Sequence, residues 1–176
     1  MAGLFGKVTP ATILPRAALC NSPQYLTAET PSAGVLTARG IAKLYAALIG
    51  AVDGVRLVRP ERVAEITGPV FTGQDELMGN DVSWAMGYGI GRLGSTGAQS
   101  PTTFGMPGMG GSAAWADTRA GVAFGLTRTL FDPAQSNPAS RSATWLRKLF
   151  AEIPLCVRAF QQLYALRTDW WSTQTR

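Results

Sequence analysis

Histidine is missing from this chain of 176 residues. Its absence excludes Ser-His-Asp and Cys-His catalysis, and every metal site that relies on imidazole. Cysteine is almost missing. Cys20 and Cys156 stand far apart, so they make no structural zinc site and their spacing requests no disulfide. Two buried free thiols in a reducing compartment are the expectation. Basic charge never clusters either. The 16 Lys and Arg residues give a net charge of +5, yet no five of them run together, and the densest basic region is 141–148. A solvated basic surface follows, with no nucleic-acid partner. No apolar run approaches the roughly 20 residues of a membrane span. Lys7, Pro10 and Pro15 interrupt the apolar N-terminus and rule out a signal-peptide core, so no membrane partner and a cytoplasmic location are expected.

What is present suits one globular domain or part of a larger one. The hydrophobic fraction of 46% is ordinary, so 20 glycines and 11 prolines indicate many turns rather than disorder. Residues 1–35 hold four prolines and no sustained period. Thr37 then reads as an N-cap, with Ile41, Leu44, Tyr45, Leu48 and Ile49 at helical spacing and Gly50 as the cap at the far end. Asp53-Gly54 reads as a turn and 55–58 as a short extended piece. Pro60 fits the first position of a second helix, with Val63 and Ile66 inward and Gly68-Pro69 as its stop. Residues 70–82 read as a polar loop whose acids, Asp75, Glu76 and Asp81, are solvated.

Further along, large and small residues alternate strictly over 84–91, which predicts one strand with Trp84, Met86, Tyr88 and Ile90 on one face. A loop over 92–102 leads to Met106-Pro107-Gly108-Met109-Gly110-Gly111, where small residues let a ligand or another backbone come close. Period-two runs then predict strands at 112–117 and 122–130, with Asp117 at the hairpin turn bonding its own backbone. A polar linker follows. Ser142 reads as the N-cap of a helix carrying Leu146, Leu149 and Phe150, Pro154 breaks it, 155–166 repeats helical spacing, and 167–176 is a tail. The division is therefore one domain over 1–153 and an extra C-terminal helix and tail over 154–176.

Gly89-Ile90-Gly91-Arg92-Leu93-Gly94 matches the dinucleotide fingerprint in form. The residues after it start no helix, so no helix N-terminus faces a pyrophosphate, and a glycine-faced strand explains the match. No P-loop occurs, and no cofactor is expected.

The order of segments resembles the C-terminal part of the serine β-lactamase-related family, the esterases and DD-peptidases akin to class C β-lactamases. The residues that carry the resemblance are Pro31-Ser32-Ala33-Gly34 and Thr37-Ala38-Arg39-Gly40-Ile41-Ala42-Lys43-Leu44-Tyr45. With them go Asp53-Gly54-Val55-Arg56-Leu57, Gly87-Tyr88-Gly89, and Phe104-Gly105-Met106-Pro107-Gly108-Met109-Gly110-Gly111-Ser112. It spans about 20–131. The resemblance implies an α+β domain of partial β-lactamase/transpeptidase-like fold: an antiparallel sheet, here a meander of 84–91, 112–117 and 122–130, flanked by helices.

In such proteins a serine in Ser-x-x-Lys attacks the substrate, Tyr-x-Asn supplies a second proton-transfer group, and a His- or Lys-x-Gly segment closes the site. Here the residues three before Lys7, Lys43 and Lys148 are Leu4, Gly40 and Trp145, so Ser-x-x-Lys is absent. The residues two after Tyr25, Tyr45, Tyr88 and Tyr164 are Thr27, Ala47, Ile90 and Leu166, so Tyr-x-Asn is absent. The third motif survives as Met106-Pro107-Gly108, with methionine where His or Lys is expected. The resemblance makes 106–112 the substrate-binding wall and the Met109 N–H the oxyanion-hole donor, while Ser112 is structural and no catalytic residue is assigned.

Two functions are expected from this. One is a truncated serine β-lactamase/esterase-related hydrolase, inactive alone, that acts on esters or β-lactams only when a separate N-terminal half completes it. The other is a non-catalytic binding module that keeps a groove for an ester or β-lactam small molecule.

Overall fold

The computed structural model describes residues 17–29, 34–76, 79–91, 100–108, 112–127 and the strand at 163–167. Two one-turn helices, α1 (Ala17–Cys20) and α2 (Pro23–Leu26), occupy the stretch read as irregular, each too short to show a period. Ser22 caps α2, its Oγ accepting the Tyr25 N–H at 3.2 Å, and Pro23 takes the first helical position. Cys20 is a free thiol, but half-buried rather than buried.

The main helix, α3 (Ala38–Ile49), begins where its cap predicts: Thr37 Oγ1 accepts the Gly40 N–H at 3.0 Å. Its contact face differs from the sequence reading. Ala38, Ala42 and Ala46, spaced by four, are buried together with Tyr45 and Leu48, whereas Leu44 is 42% exposed. Leu44 stands two residues from both Ala42 and Ala46, roughly opposite them on a helix of about 3.6 residues per turn. The alanine stripe presses on the sheet, and this turns Leu44 to solvent.

After α3 the chain reverses at Asp53 (φ 51°) and Gly54 (φ 77°), both left-handed, as a two-residue hairpin turn requires. Val52 and Val55 exchange both backbone bonds at 2.9 Å, and the expected extended piece goes no further than this single bridge. Helix α4 (Pro60–Thr67) starts on Pro60 as read, with Val63 and Ile66 half-buried.

Among the described residues seven strands form one antiparallel sheet in chain order: β1 (Phe71–Gln74), β2 (Asp81–Trp84), β3 (Gly89–Ile90), β4 (Thr103–Pro107), β5 (Ala113–Asp117), β6 (Val122–Leu126) and β7 (Leu163–Arg167). Four corrections to the sequence reading follow. The polar loop over 70–82 is the hairpin β1–β2, registered from Phe71↔Trp84 to Gln74↔Asp81. Its residues are exposed or half-buried and none is buried, so they carry no apolar alternation. The strand over 84–91 is broken. Gly87 takes a φ of 85°, the Ala85 N–H bonds the Tyr88 carbonyl at 2.7 Å, and Trp84 pairs with Gly89 across the turn. Met86 is consequently 59% exposed while Ile90 is buried, so the four large residues do not share one face as a single strand would place them.

The third correction is β4, read only as a loop and a glycine-rich lead-in. Gly105 and Pro107 argue against a strand by propensity. Packing requires the first of them, because a Cβ at Gly105 would stand 2.2 Å from the Ala114 carbonyl oxygen and 2.6 Å from Trp115 Cα. The fourth is β7, which replaces the C-terminal end of the predicted helix. It pairs with β6 from Val122↔Arg167 to Leu126↔Leu163, and so joins the same sheet as the rest. Spacing in so short an apolar run fits either element, and only the cross-strand partner decides. Strand β5 agrees with the reading, and β6 begins where it was read but ends at Leu126, before Thr127. Residues 1–16, 92–99, 128–162 and 168–176, with the helix expected over 142–150, lie outside the described residues.

Register sorts the side chains by face. Phe104, Ala116 and Ala123 form one row, and Ala114 lies opposite Gly125. This face meets α3, and its core gathers Tyr45, Ala46, Leu48, Val52, Ala85, Ile90 and Phe104. Burying a side chain such as Phe104 contributes about 1.5–3 kcal/mol. On the other face Trp115 stacks on Phe124, with ring centroids 5.2 Å apart. The closest approach of helix and sheet is at Gly125, where an added Cβ would stand 2.5 Å from both the Ala38 carbonyl oxygen and Ile41 Cγ2.

Asp117 closes the β5–β6 hairpin. As expected, it bonds local backbone: Oδ1 accepts the N–H groups of Arg119 and Ala120, each at 3.0 Å. It also reaches across to β4, where the Thr102 hydroxyl donates to Oδ1 at 2.9 Å and the buried Thr103 hydroxyl to Oδ2 at 3.1 Å. Burial pushes the carboxyl pKa up, but these four donors outweigh it and hold the group below its ordinary value.

Two outcomes are expected. Gly125→Ala will cost about 3 kcal/mol or more in denaturant unfolding, because backbone atoms of α3 must move. Gly73→Ala on β1 will cost under about 1 kcal/mol, since its Cβ meets only the end of the Phe71 ring, at 3.0 Å. Equal costs would contradict the close contact. For Asp117, the depressed pKa means that its stabilisation is present above the ordinary carboxylate pKa of about 3.9 and is lost as pH falls through the lower folded value. Asp117→Asn should lower the melting temperature at pH 7, and the gap to the wild type should shrink between pH 4 and pH 2. A gap unchanged with pH would show that the carboxylate charge is irrelevant.

Candidate functional site

Strand β4 leads into the 106–112 segment that the resemblance names. Thr103, Phe104 and Gly105 are buried in the sheet, and the strand then emerges: Met106, Pro107 and Gly108 are exposed, Met106 by 40%. Met106 pairs with Ala114 and Pro107 with Ala113, so Met106 lies on the sheet face that carries Phe104 and receives α3. Just beyond, the Gly108 N–H donates to the Ser112 carbonyl at 2.7 Å, which closes the 108–112 segment on itself. A Cβ at Gly108 would stand 3.1 Å from that same oxygen. Met109, Gly110 and Gly111 lie outside the described residues, and Ser112 is half-buried at the entry to β5.

The structure thus brings Met106, Pro107, Gly108 and Ser112 together at one end of the β4–β5 pair. The backbone N–H of Gly108 is already committed to Ser112.

Three rings support this wall from below. Tyr45 of α3, Tyr88 before β3 and Phe104 of β4 stand with centroids 6.1 Å (Tyr45–Tyr88), 5.9 Å (Tyr45–Phe104) and 5.1 Å (Tyr88–Phe104) apart. Sequence reading found Tyr45 as an inward helix residue but missed the cluster, since Tyr88 was assigned to a straight strand. Burial, then the neighbouring Tyr88 phenol, pushes the Tyr45 pKa up to about 12. Tyr45 is therefore a neutral phenol at neutral pH and no general base.

The described hydroxyls with assigned bonds serve structure. Thr102 and Thr103 hold Asp117, Thr72 and Ser83 bridge β1 to β2 at 3.1 Å, and Thr67 bonds the Val63 carbonyl at 2.7 Å. The described lysine, Lys43, pairs with Asp53 at 2.5 Å on the surface. A nucleophile paired with a lysine base is not among these contacts. Among the described residues no group of three His, Cys, Asp or Glu side chains could hold a metal ion, and no helix is long and apolar enough to cross a membrane.

The raised Tyr45 pKa has a measurable consequence. A phenol that ionises at about 12 in the folded chain and near 10 when unfolded contributes stability below pH 10, which is lost as pH rises towards 12. Ultraviolet titration should show one tyrosine ionising late or only on unfolding, and Tyr45→Phe should remove it. A Tyr45→Phe curve identical to that of the wild type would refute the assignment.

No protein-family model matches the chain. The esterase/beta-lactamase LipL of Mycobacterium tuberculosis is 34% identical over 113 residues, 62% of this chain and 26% of LipL. The crystal structure of a family VIII carboxylesterase is 32% identical over 54% of this chain and 26% of its own, with a TM-score of 0.48. That of a novel penicillin-binding protein homolog from Caulobacter crescentus is 30% identical over 47% and 23%, with a TM-score of 0.40. The chain spans about a quarter of the length of each. Along the stretch shared with LipL, the chain is related to the serine β-lactamase-related family, as its residues imply.

Proposed function

We propose that these residues form the substrate-facing sheet wall of a serine hydrolase of the esterase or β-lactamase type, and that the 176 residues do not hydrolyse such substrates by themselves. The observation that carries this reading is Met106. It occupies the place of the family's His or Lys, exposed at the end of β4, in a chain with neither Ser-x-x-Lys nor Tyr-x-Asn. A thioether is a weak acceptor and no donor, so it can neither shuttle a proton nor neutralise an anion. Without a nucleophile the covalent route is closed. Oxyanion stabilisation and binding alone give at most about 10³–10⁴-fold over water, and only in a site that is otherwise whole. A separate chain that supplied the nucleophile, the lysine and the tyrosine motif would complete the site for an ester or β-lactam, the substrate types that the name of LipL suggests.

The exposure of Met106 also favours a second reading, a non-catalytic binding module whose groove takes an ester or β-lactam. A flexible, polarisable thioether makes a good apolar contact where proton transfer is not needed.

The expected outcome is no hydrolysis of nitrocefin or p-nitrophenyl acetate above background by the wild type, and none by Met106→His, because restoring one motif leaves the nucleophile missing. Steady turnover that survives Ser112→Ala would mean that a nucleophile lies elsewhere in the chain and would sink the proposal. Retention on immobilised penicillin without turnover, weakened by Met106→Asp, would support the binding module. No retention would remove that second reading and leave the first intact.

A further inference from the structure

We draw no further inference here: the strongest candidate, the exposed apolar group of Val70, Phe71 and Met86 around the end of β2 at the β1 side of the sheet, carries nothing because nothing in the structure shows what covers it.

Discussion

The contact of α3 with β6 at Gly125 sets the geometry of everything around it. Backbone meets backbone there: the Ala38 carbonyl oxygen and the Ala42 nitrogen lie 2.5 and 3.0 Å from where a Cβ would be. An approach this close demands small residues on both partners. The helix supplies Ala38, Ala42 and Ala46, and the sheet supplies Ala114, Ala116 and Ala123 beside Gly125. Large side chains are left for the flank, where Tyr45 fills the space over Phe104 and Tyr88. Closeness at Gly125 and bulk at Tyr45 together fix how the helix lies on the sheet, because neither contact can slide without losing the other.

From that frame the wall at Met106 follows. Phe104 is held beneath Tyr45, Gly105 is pressed against the backbone of β5, and Thr103 is tied to Asp117. Three successive residues of β4 are thus fixed by three different forces: aromatic packing, steric closeness and a charge-assisted hydrogen bond. A strand anchored so firmly at one end projects its other end in a defined direction. Met106 and Pro107 emerge on a rigid element, which a binding or catalytic wall needs if it is to hold a ligand in register. The Gly108–Ser112 bond continues the constraint past the strand end.

What the sequence disclosed divides along the same physical lines. Local signals with a single interpretation worked: the Thr37 cap, Pro60 at the start of α4, the Asp53-Gly54 reversal, and the alternation in β5 and β6. Signals that depend on a neighbour did not. Gly105 reads as a strand breaker until Ala114 and Trp115 are placed against it, and Gly87 reads as a small residue on a strand face until its positive φ turns the chain. The hairpin β1–β2 was hidden because none of its residues is buried, and alternation marks only strands with one dry face. Leu44 misled for the opposite reason: periodicity finds the large apolar residues, whereas a close helix–sheet contact is made by the small ones. The 106–112 segment was marked in the sequence by its glycines and its resemblance. The ring cluster beneath it was not, since Tyr45 and Tyr88 come together only across α3 and the turn before β3.

The scaffold and the chemistry of this chain therefore separate. The end of β4 is positioned by one carboxylate, two threonines, Gly105 and three rings. At the end of β4 stands Met106, an exposed thioether, in a chain with neither Ser-x-x-Lys nor Tyr-x-Asn. The positioning groups bear on stability, because a strand without its anchors costs the sheet its centre. Met106 bears on it little, since an exposed side chain at a strand end contributes little to folding whichever residue it is. The order of β4 up to Met106 follows from packing and hydrogen bonding within the sheet and against α3.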